Sequence, residues 1–169
     1  MSISDPDISR AVVVRAESAE VVELSAGSRF GLLADASGTW GALGVNRLTL
    51  SSGAQGAGPH CHTLSSEAFY VLDGVMEFLL GEEVTTVAGG DLLVVPPRTP
   101  HAFGAAPGST AEVLVVMTPG VERFGYFRHL GRVAHGQEAA DSLLAVQERY
   151  DVHFVSSAAW QAARTSVTR

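Results

Sequence analysis

Three histidines and one glutamate have the types and spacing of a metal site. His60 and His62 are separated by one residue, Glu67 follows on the next predicted strand, and His101 lies in a later segment. Residues two apart on a strand point to the same face, so His60 and His62 face inward together. Three imidazoles and one carboxylate favour a divalent transition metal over Mg²⁺ or Ca²⁺. Because four such ligands leave octahedral positions open, the pattern indicates chemistry rather than a closed structural site.

Each histidine taken alone would more often be a hydrogen-bonded core residue, so the metal hypothesis depends on the joint spacing. Glu67 is also the predicted catalytic residue, as a base that accepts a substrate proton while it swings off the metal. A carboxylate beside a dication keeps a low pKa, so a role as ligand alone stays open.

The same strand alternation predicts the neighbours of the site. Phe69 shares parity with Glu67 and Phe103 shares parity with His101, so we expect both to line a substrate pocket with Met76. Ordinary core packing is the alternative for these residues. Cys61 is expected to point away from the metal as a buried thiol. Arg47 is expected at an exposed edge, with a substrate oxyanion as its alternative partner.

Short apolar runs separated by Gly, Pro, Ser and Asp predict the elements that position these residues, in an all-β sandwich or barrel. The predicted strands are Val21–Leu24, Arg29–Ala34, Ala42–Leu50, Pro59–His62, Glu67–Leu72, Val75–Leu80, Glu83–Val87, Asp91–Val95, Pro100–Phe103 and Ala111–Thr118. Asp73-Gly74 predicts a two-residue hairpin, and Gly81 predicts the next one.

The two ends of the chain are patterned differently. Residues 1–19 are predicted to form an arm with one strand near Ala11–Val14, and residues 20–119 to form the barrel. Residues 120–169 are predicted to form a helical extension packed on it. Within that extension Val121–Leu130 and Glu138–Tyr150 are the expected helices, and Ser156–Arg169 is expected to be a frayed tail.

Charge and apolar content narrow the class of partner. The formal net charge is −7 and the sequence has no cluster of Lys or Arg, which argues against a nucleic-acid partner. No apolar run approaches the ~18 residues needed to cross a bilayer, and the acidic first residues are unlike a signal peptide. The single cysteine excludes an internal disulfide. A cytoplasmic protein without membrane contact is the resulting expectation.

The motif His-x-His-x4-Glu-x6-Gly, from His60 to Gly74, is followed by Gly90-x5-Pro96 and His101. Together these segments resemble the two motifs of the cupin family. The family pattern prefers Gly, Gly and Asn where this chain has Ala54, Arg98 and Ala105, and none of those positions is a ligand. The stretches Glu67–Gly74 and Pro119–Phe124 also resemble small quercetinase-like cupins. The resemblance covers roughly residues 38–130.

The resemblance implies a double-stranded β-helix, or jelly-roll, barrel with a C-terminal α-helical extension. It also implies one divalent transition metal (Fe, Ni, Co, Mn, Cu or Zn) held by His60, His62, Glu67 and His101. The implied function is a metal-dependent dioxygenase that acts on a phenolic or enolisable aromatic substrate. A metal-dependent isomerase, cyclase or lyase and a non-catalytic small-molecule binder stay open as alternatives. A homodimer is also implied, since the N-terminal arm is too weakly patterned to form its own core.

Overall fold

A computed structural model describes residues 11–165, which form ten antiparallel strands and a helical C-terminal region. The strands are β1 (Glu20–Glu23), β2 (Arg29–Ala34), β3 (Gly44–Leu50), β4 (His60–Cys61), β5 (Ser66–Leu80), β6 (Glu83–Ala88), β7 (Leu92–Val95), β8 (His101–Ala105), β9 (Ala111–Thr118) and β10 (His153–Phe154). The expected all-β class with C-terminal helices is therefore confirmed.

The long strand β5 connects two sheets. Its first half pairs with β9 on one side and β7 on the other, in a sheet that continues from β9 through β3 and β2 to β1. Its second half pairs with β6 and β8, and β8 continues through β4 to β10. Inward side chains of both sheets, including Leu48, Phe69 and Phe78, form one apolar core. The metal-ligand candidates adjoin this core, because the rings of His60 and His101 lie next to those of Phe103 and Phe69.

The hairpin predicted at Asp73-Gly74 is wrong, because β5 runs through these residues without turning. The pairing of β5 with β9 shifts between Val71 and Asp73, and Gly74 pairs with Ala111. Gly74 has φ +78°, and a Cβ there would lie 1.9 Å from the Thr110 carbonyl oxygen. Gly74 thus permits the bulge-like irregularity at which β5 passes from one sheet to the other.

The hairpin predicted at Gly81 is confirmed. Leu80 pairs with Glu83 across a two-residue turn, and Gly81 has φ +62°. The strand expected at Ala11–Val14 is not formed: these residues have no regular structure. Residues 1–10 of the predicted arm and residues 166–169 of the predicted extension lie outside the described part of the chain.

The helices are α1 (Phe124–Ala134), α2 (Gln147–Tyr150) and α3 (Ala158–Thr165), and the 3₁₀ segments are Ala16–Ser18, Ser25–Gly27, Ala36–Thr39 and Ala140–Val146. α1 starts where the Asp35 carboxylate accepts hydrogen bonds from the backbone N–H groups of Arg123 (2.7 Å) and Phe124 (3.0 Å). The carboxylate thereby caps otherwise unpaired donors at the helix start. The single helix expected over Glu138–Tyr150 is instead a 3₁₀ segment followed by the short α2.

The expected frayed tail is wrong for residues 158–165, because α3 is docked on the barrel. Trp160 is buried against Leu79 and Ala102. The Arg164 guanidinium donates to Glu77 at 2.8 Å and to three backbone carbonyls of the barrel. An aromatic anchor and a buried cation with an ionic partner therefore hold the helix in place. Within the described residues, no helix has the length and hydropathy of a membrane span.

Candidate metal centre

His60, His62, Glu67 and His101 converge inside the barrel. All four side chains are buried, and one ligand atom from each lies within 4.8 Å of the others. The strands β4, β5 and β8 bring these side chains together. The alternation of β4 turns His60 and His62 to one face, β5 returns directly with Glu67, and β8 places His101 opposite His60 in register. The group has the composition and compactness to bind a metal ion.

Backbone carbonyls fix the orientation of all three imidazoles. The Nδ1 atom of His60 lies 2.8 Å from the Gly58 oxygen, and that of His101 lies 2.9 Å from the Thr99 oxygen. The Nδ1 atom of His62 lies 2.6 Å from the Asp151 oxygen. A carbonyl can only accept, so each Nδ1 carries the proton and each Nε2 presents a lone pair. This is the arrangement in which metal-binding histidines are usually held.

Two of these lone pairs point at the same carboxylate oxygen. The Nε2 atoms of His62 and His101 lie 3.0 and 2.9 Å from Glu67 Oε2. Three acceptors facing one another repel unless a proton or a cation lies between them. The donor set therefore fits a divalent cation.

Electrostatics keep the ligands in the forms that bind metal. Burial, reinforced by the neighbouring His101 and His62, holds the pKa of His60 well below its usual range, so this imidazole is neutral. Burial would raise the pKa of Glu67, but hydrogen bonds from His101 and His62, which form when a proton rather than a metal lies between these atoms, outweigh burial and hold that pKa well below its usual range. The site thus offers a neutral imidazole beside an anionic carboxylate.

Asp151 was not predicted as a site residue. Its carboxylate accepts hydrogen bonds from Thr63 and Leu64, in the turn that follows His62, and this turn is called the ligand turn below. The Oδ1 atom of Asp151 accepts hydrogen bonds from the Thr63 N–H (2.8 Å) and hydroxyl (2.6 Å), and its Oδ2 accepts one from the Leu64 N–H (2.9 Å). Its backbone oxygen is the partner of His62 Nδ1. One residue therefore positions both a ligand and the turn that follows it.

A cavity of about 470 Å³ reaches the centre. Its wall includes His60 and Glu67 and is otherwise mostly apolar; the further polar side chains are those of Ser25, Ser28, Asn46, Gln55, Arg123 and Tyr126. α1 forms one side of this cavity, and the inward face of β3 and β9 forms another. The volume suits a small organic molecule.

The predicted pocket residues take different places. Phe103 lines the cavity. Phe69 and Met76 are fully buried in the core and are absent from the cavity wall. Phe69 packs edge-on against Phe103, with ring centroids 5.1 Å apart, so it supports the wall from behind.

On β3 the side chain of Asn46, and not that of Arg47, faces the interior of the barrel. Asn46 is buried and lines the cavity, whereas Arg47 is exposed and forms an ion pair with Glu112 at 2.6 Å. Arg47 lies on an outward face rather than at an edge, because β3 is paired on both sides. Cys61 is half-buried, and its thiol is outside the compact ligand group.

Arg123 and Tyr126 were not singled out as site residues. They follow the barrel strands in sequence, and Arg123 belongs to the stretch Pro119–Phe124 that resembles small quercetinase-like cupins. An arginine inside an apolar segment was the available clue for Arg123, since buried cations require partners. No comparable local clue identified Asp151, whose contacts lie about ninety residues earlier in the chain.

Comparison with known proteins places these features in a family. Residues 46–117 match the family model described as Cupin domain. A comparison with curated protein sequences finds no match. Among solved structures, an RmlC-like cupin from Shewanella frigidimarina NCIMB 400 is 19% identical, with 68% of this chain and 96% of that chain covered and a TM-score of 0.57.

Two further structures carry named activities. The polyketide cyclase RemF from Streptomyces resistomycificus is 22% identical, with 65% of this chain and 80% of that chain covered and a TM-score of 0.55. Streptomyces Pac13, a nucleoside dehydratase solved with uridine, is 20% identical, with 68% and 86% of the two chains covered and a TM-score of 0.54. At these identities the likeness shows the fold.

Proposed function

We propose that this chain, whose residues 46–117 match the Cupin domain family model, is a metal-dependent enzyme that acts by proton transfer, as an isomerase, cyclase or lyase does. The observation that carries the proposal is the fixed orientation of the three imidazoles, whose Nε2 lone pairs converge with the Glu67 carboxylate inside a cavity. His60, His62, Glu67 and His101 would hold one divalent transition metal. A bound metal of this kind supplies Lewis acidity, which lowers the pKa of a substrate hydroxyl or of a carbon next to a carbonyl.

Two side chains of the cavity are suited to move the proton. Glu67 is anionic, so it is the base that accepts a proton from the substrate. Burial raises the pKa of Tyr126; Arg123 offsets part of this rise and Glu67 adds to it. Tyr126 therefore keeps its proton at neutral pH and can donate it. Glu67 is thus the proposed proton acceptor in this cavity and Tyr126 the proposed donor.

The related structures support this reaction class over the dioxygenase that the sequence resemblance implies. A polyketide cyclase and a nucleoside dehydratase share the fold, and cyclisations and dehydrations proceed by proton transfer. The same four ligands would serve a dioxygenase, which stays a prediction and is the alternative outcome of the tests below.

Metal analysis tests the ligand set. Protein purified without chelators, or reconstituted with Fe²⁺, Mn²⁺, Ni²⁺ or Zn²⁺, should hold about one ion per chain. His101→Ala should lose the ion, because it removes a ligand from the centre of the group. His135→Ala is the matched control, since His135 is exposed and lies outside the ligand group. Wild-type protein that retains none of the four ions would refute the metal proposal.

The reaction class is tested with two probes on metal-replete protein. An enolisable 1,3-diketone in D₂O, followed by NMR, reports proton exchange at carbon, and an oxygen electrode with quercetin reports dioxygenase activity. We expect accelerated exchange without oxygen consumption. Oxygen uptake matched to loss of quercetin would replace the proposal with the dioxygenase. If both probes bind and neither reacts, the protein is a binder rather than an enzyme.

We also propose a homodimer formed through the outer face of β5 and β7. Tyr70, Leu72, Leu92 and Val94 are between 42% and 64% exposed on this face. Among the described strands, β7 pairs only with β5, so its other edge is open. An apolar face beside an open edge suits a two-fold contact. Sedimentation should show twice the chain mass for wild type and for Leu144→Glu, and a monomer for Leu92→Glu. A wild-type monomer at all concentrations contradicts the dimer.

A further inference from the structure

Arg123 is a buried cation without an ionic partner. Arg123 is only 7% exposed, and no carboxylate of the described residues forms an ion pair with its guanidinium. The contrast with Arg164 is direct, because that buried arginine is paired with Glu77 and three carbonyls. Burying a guanidinium, which stays charged at all ordinary pH, is costly unless an anion or several acceptors neutralise it.

The groups around Arg123 do not meet this need. Its Nη1 donates to the Met117 thioether sulfur at 2.6 Å, which is a weak acceptor. Its Nε is buried without a hydrogen-bond partner. The guanidinium also lies over the rings of Tyr126 and Phe127, 5.3 and 5.5 Å from their centroids. The rings orient the cation, but its donors remain available.

The location of Arg123 connects it with the metal-ligand group. Arg123 lines the same cavity as His60 and Glu67. Met117, which the guanidinium contacts, is the register partner of Glu67 across β9 and β5. Residues paired in this way stand side by side on one face of the sheet. A ligand that reaches Arg123 is therefore within one strand of the candidate metal centre.

Asn46 adds a second donor. It is also 7% exposed, lines the same cavity, and shares a smaller side pocket with Arg123. Among the described residues, none forms a hydrogen bond with the side-chain amide of Asn46. The backbone of Arg123 is meanwhile fixed by the Asp35 carboxylate at 2.7 Å, so its side chain starts from a rigid position.

We propose that Arg123 and Asn46 form an anion site that holds the carboxylate of the substrate, so the substrate is an organic acid with an apolar body. This deepens the proposed function by naming the substrate class. A planar guanidinium matches a carboxylate bidentately, and the Asn46 amide donates a further hydrogen bond. The mostly apolar cavity takes the rest of the molecule, with the reacting carbon next to Glu67.

The test compares 2-naphthoate with its neutral analogue 2-naphthamide by titration calorimetry. Wild-type protein, both as purified and after chelator treatment, should bind naphthoate about tenfold or more tightly than naphthamide. Arg123→Met should remove this preference by weakening naphthoate binding, with naphthamide affinity little changed. Arg128→Met is the matched control, because Arg128 is an exposed arginine on the same helix and pairs with Glu20. Arg123→Lys keeps the charge without the bidentate fork and should lose part of the preference.

Each alternative result overturns the anion site in a recognisable way. A preference that survives in Arg123→Met means that the carboxylate binds elsewhere. A preference present only before chelator treatment means that the carboxylate is a metal ligand, so the anion site fails while the metal proposal stands. A preference that survives chelator treatment and disappears in Arg123→Met supports the site even if no metal is ever found. If Arg123→Met does not fold, an undiminished preference in Arg123→Lys overturns the site.

Discussion

The substitution Asp151→Asn removes one charge from the support of the ligand turn while keeping its shape. The asparagine oxygen can replace Oδ1, which accepts hydrogen bonds from the Thr63 N–H and hydroxyl. The amide nitrogen then faces the Leu64 N–H, so two donors meet where the Oδ2 atom accepted a hydrogen bond. Asp151 has φ +50°, and asparagine adopts this left-handed conformation readily, so backbone strain is not added.

The expected loss of stability follows mainly from that contact, because the Nε2 atom of His153, 3.2 Å from Oδ1, keeps an oxygen partner in the asparagine variant. A hydrogen bond to a charged group contributes about 1.5–3 kcal/mol, and the Leu64 N–H loses this acceptor. At about 2–4 °C per kcal/mol for a domain of this size, the melting temperature should fall by about 3–12 °C. Metal affinity should fall by less than the ~10–100-fold typical of lost supporting contacts, because the partner of His62 Nδ1 is the backbone oxygen of residue 151.

The pH dependence gives an independent check. Burial opposes ionisation of Asp151, but hydrogen bonds from Thr63 and Leu64 outweigh it and lower the pKa of this carboxyl. A depressed folded-state pKa contributes stability above the unfolded value of 3.8, and the contribution is lost as pH falls through the folded pKa. Denaturant unfolding of metal-free protein at neutral and acidic pH measures it. Asp141→Asn is the exposed control, and an Asp151→Asn variant as stable as wild type refutes the reasoning.

Four further outcomes are expected. Glu67→Gln with metal restored should lose ~10²–10⁴-fold in rate if Glu67 is the base, and activity that tracks metal content instead makes it a ligand only. Cys61→Ala should leave metal content unchanged, and loss of metal would contradict the outward orientation of the thiol. The unfolding free energy of metal-free protein should fall as pH drops through ~6.5, because burial lowers the pKa of His60 and the unfolded state takes up the proton first; His60→Gln should flatten this dependence. Trp160→Ala should cost about 3–5 kcal/mol in denaturant unfolding against under ~0.5 kcal/mol for the exposed Trp40→Ala, and equal effects would mean that α3 is not docked.

Local pattern predicted most of the strands and the convergence of the four candidate ligands, because both depend largely on the two-residue repeat of a strand. β2 and β9 have the predicted bounds, and His60 and His62 share a face as their parity requires. The alternation was ambiguous at Asn46 and Arg47, where two polar residues adjoin. Only the pairing of β3 with β9 decides between them, since Asn46 pairs with Val115 on the cavity side.

Gly74 shows why a local pattern can be misread. An Asp-Gly pair between two apolar runs is typical of a tight hairpin, because glycine tolerates positive φ. Positive φ also permits an irregularity within a continuous strand, and this is the role of Gly74 in β5. The two outcomes differ in whether β9 lies alongside, which is a contact about 37 residues distant in sequence. No local feature of the sequence reports that contact.

Most of the residues that would give this protein its specificity lie outside the segment that the family model matches; Asn46, the first residue of that segment, is the exception. Residues 46–117 include all four metal-ligand candidates, so the match covers the candidate metal centre. Arg123 and Tyr126, by contrast, are contributed by α1 and the residue before it, and Asp151 follows α2. Loops and appended helices vary more freely than a barrel core, because their backbone hydrogen bonds do not constrain neighbouring strands. A barrel that holds a metal can thus keep its ligands while the extension sets the cavity, and the proposed preference for organic acids would then be a property of residues 120–165 together with Asn46.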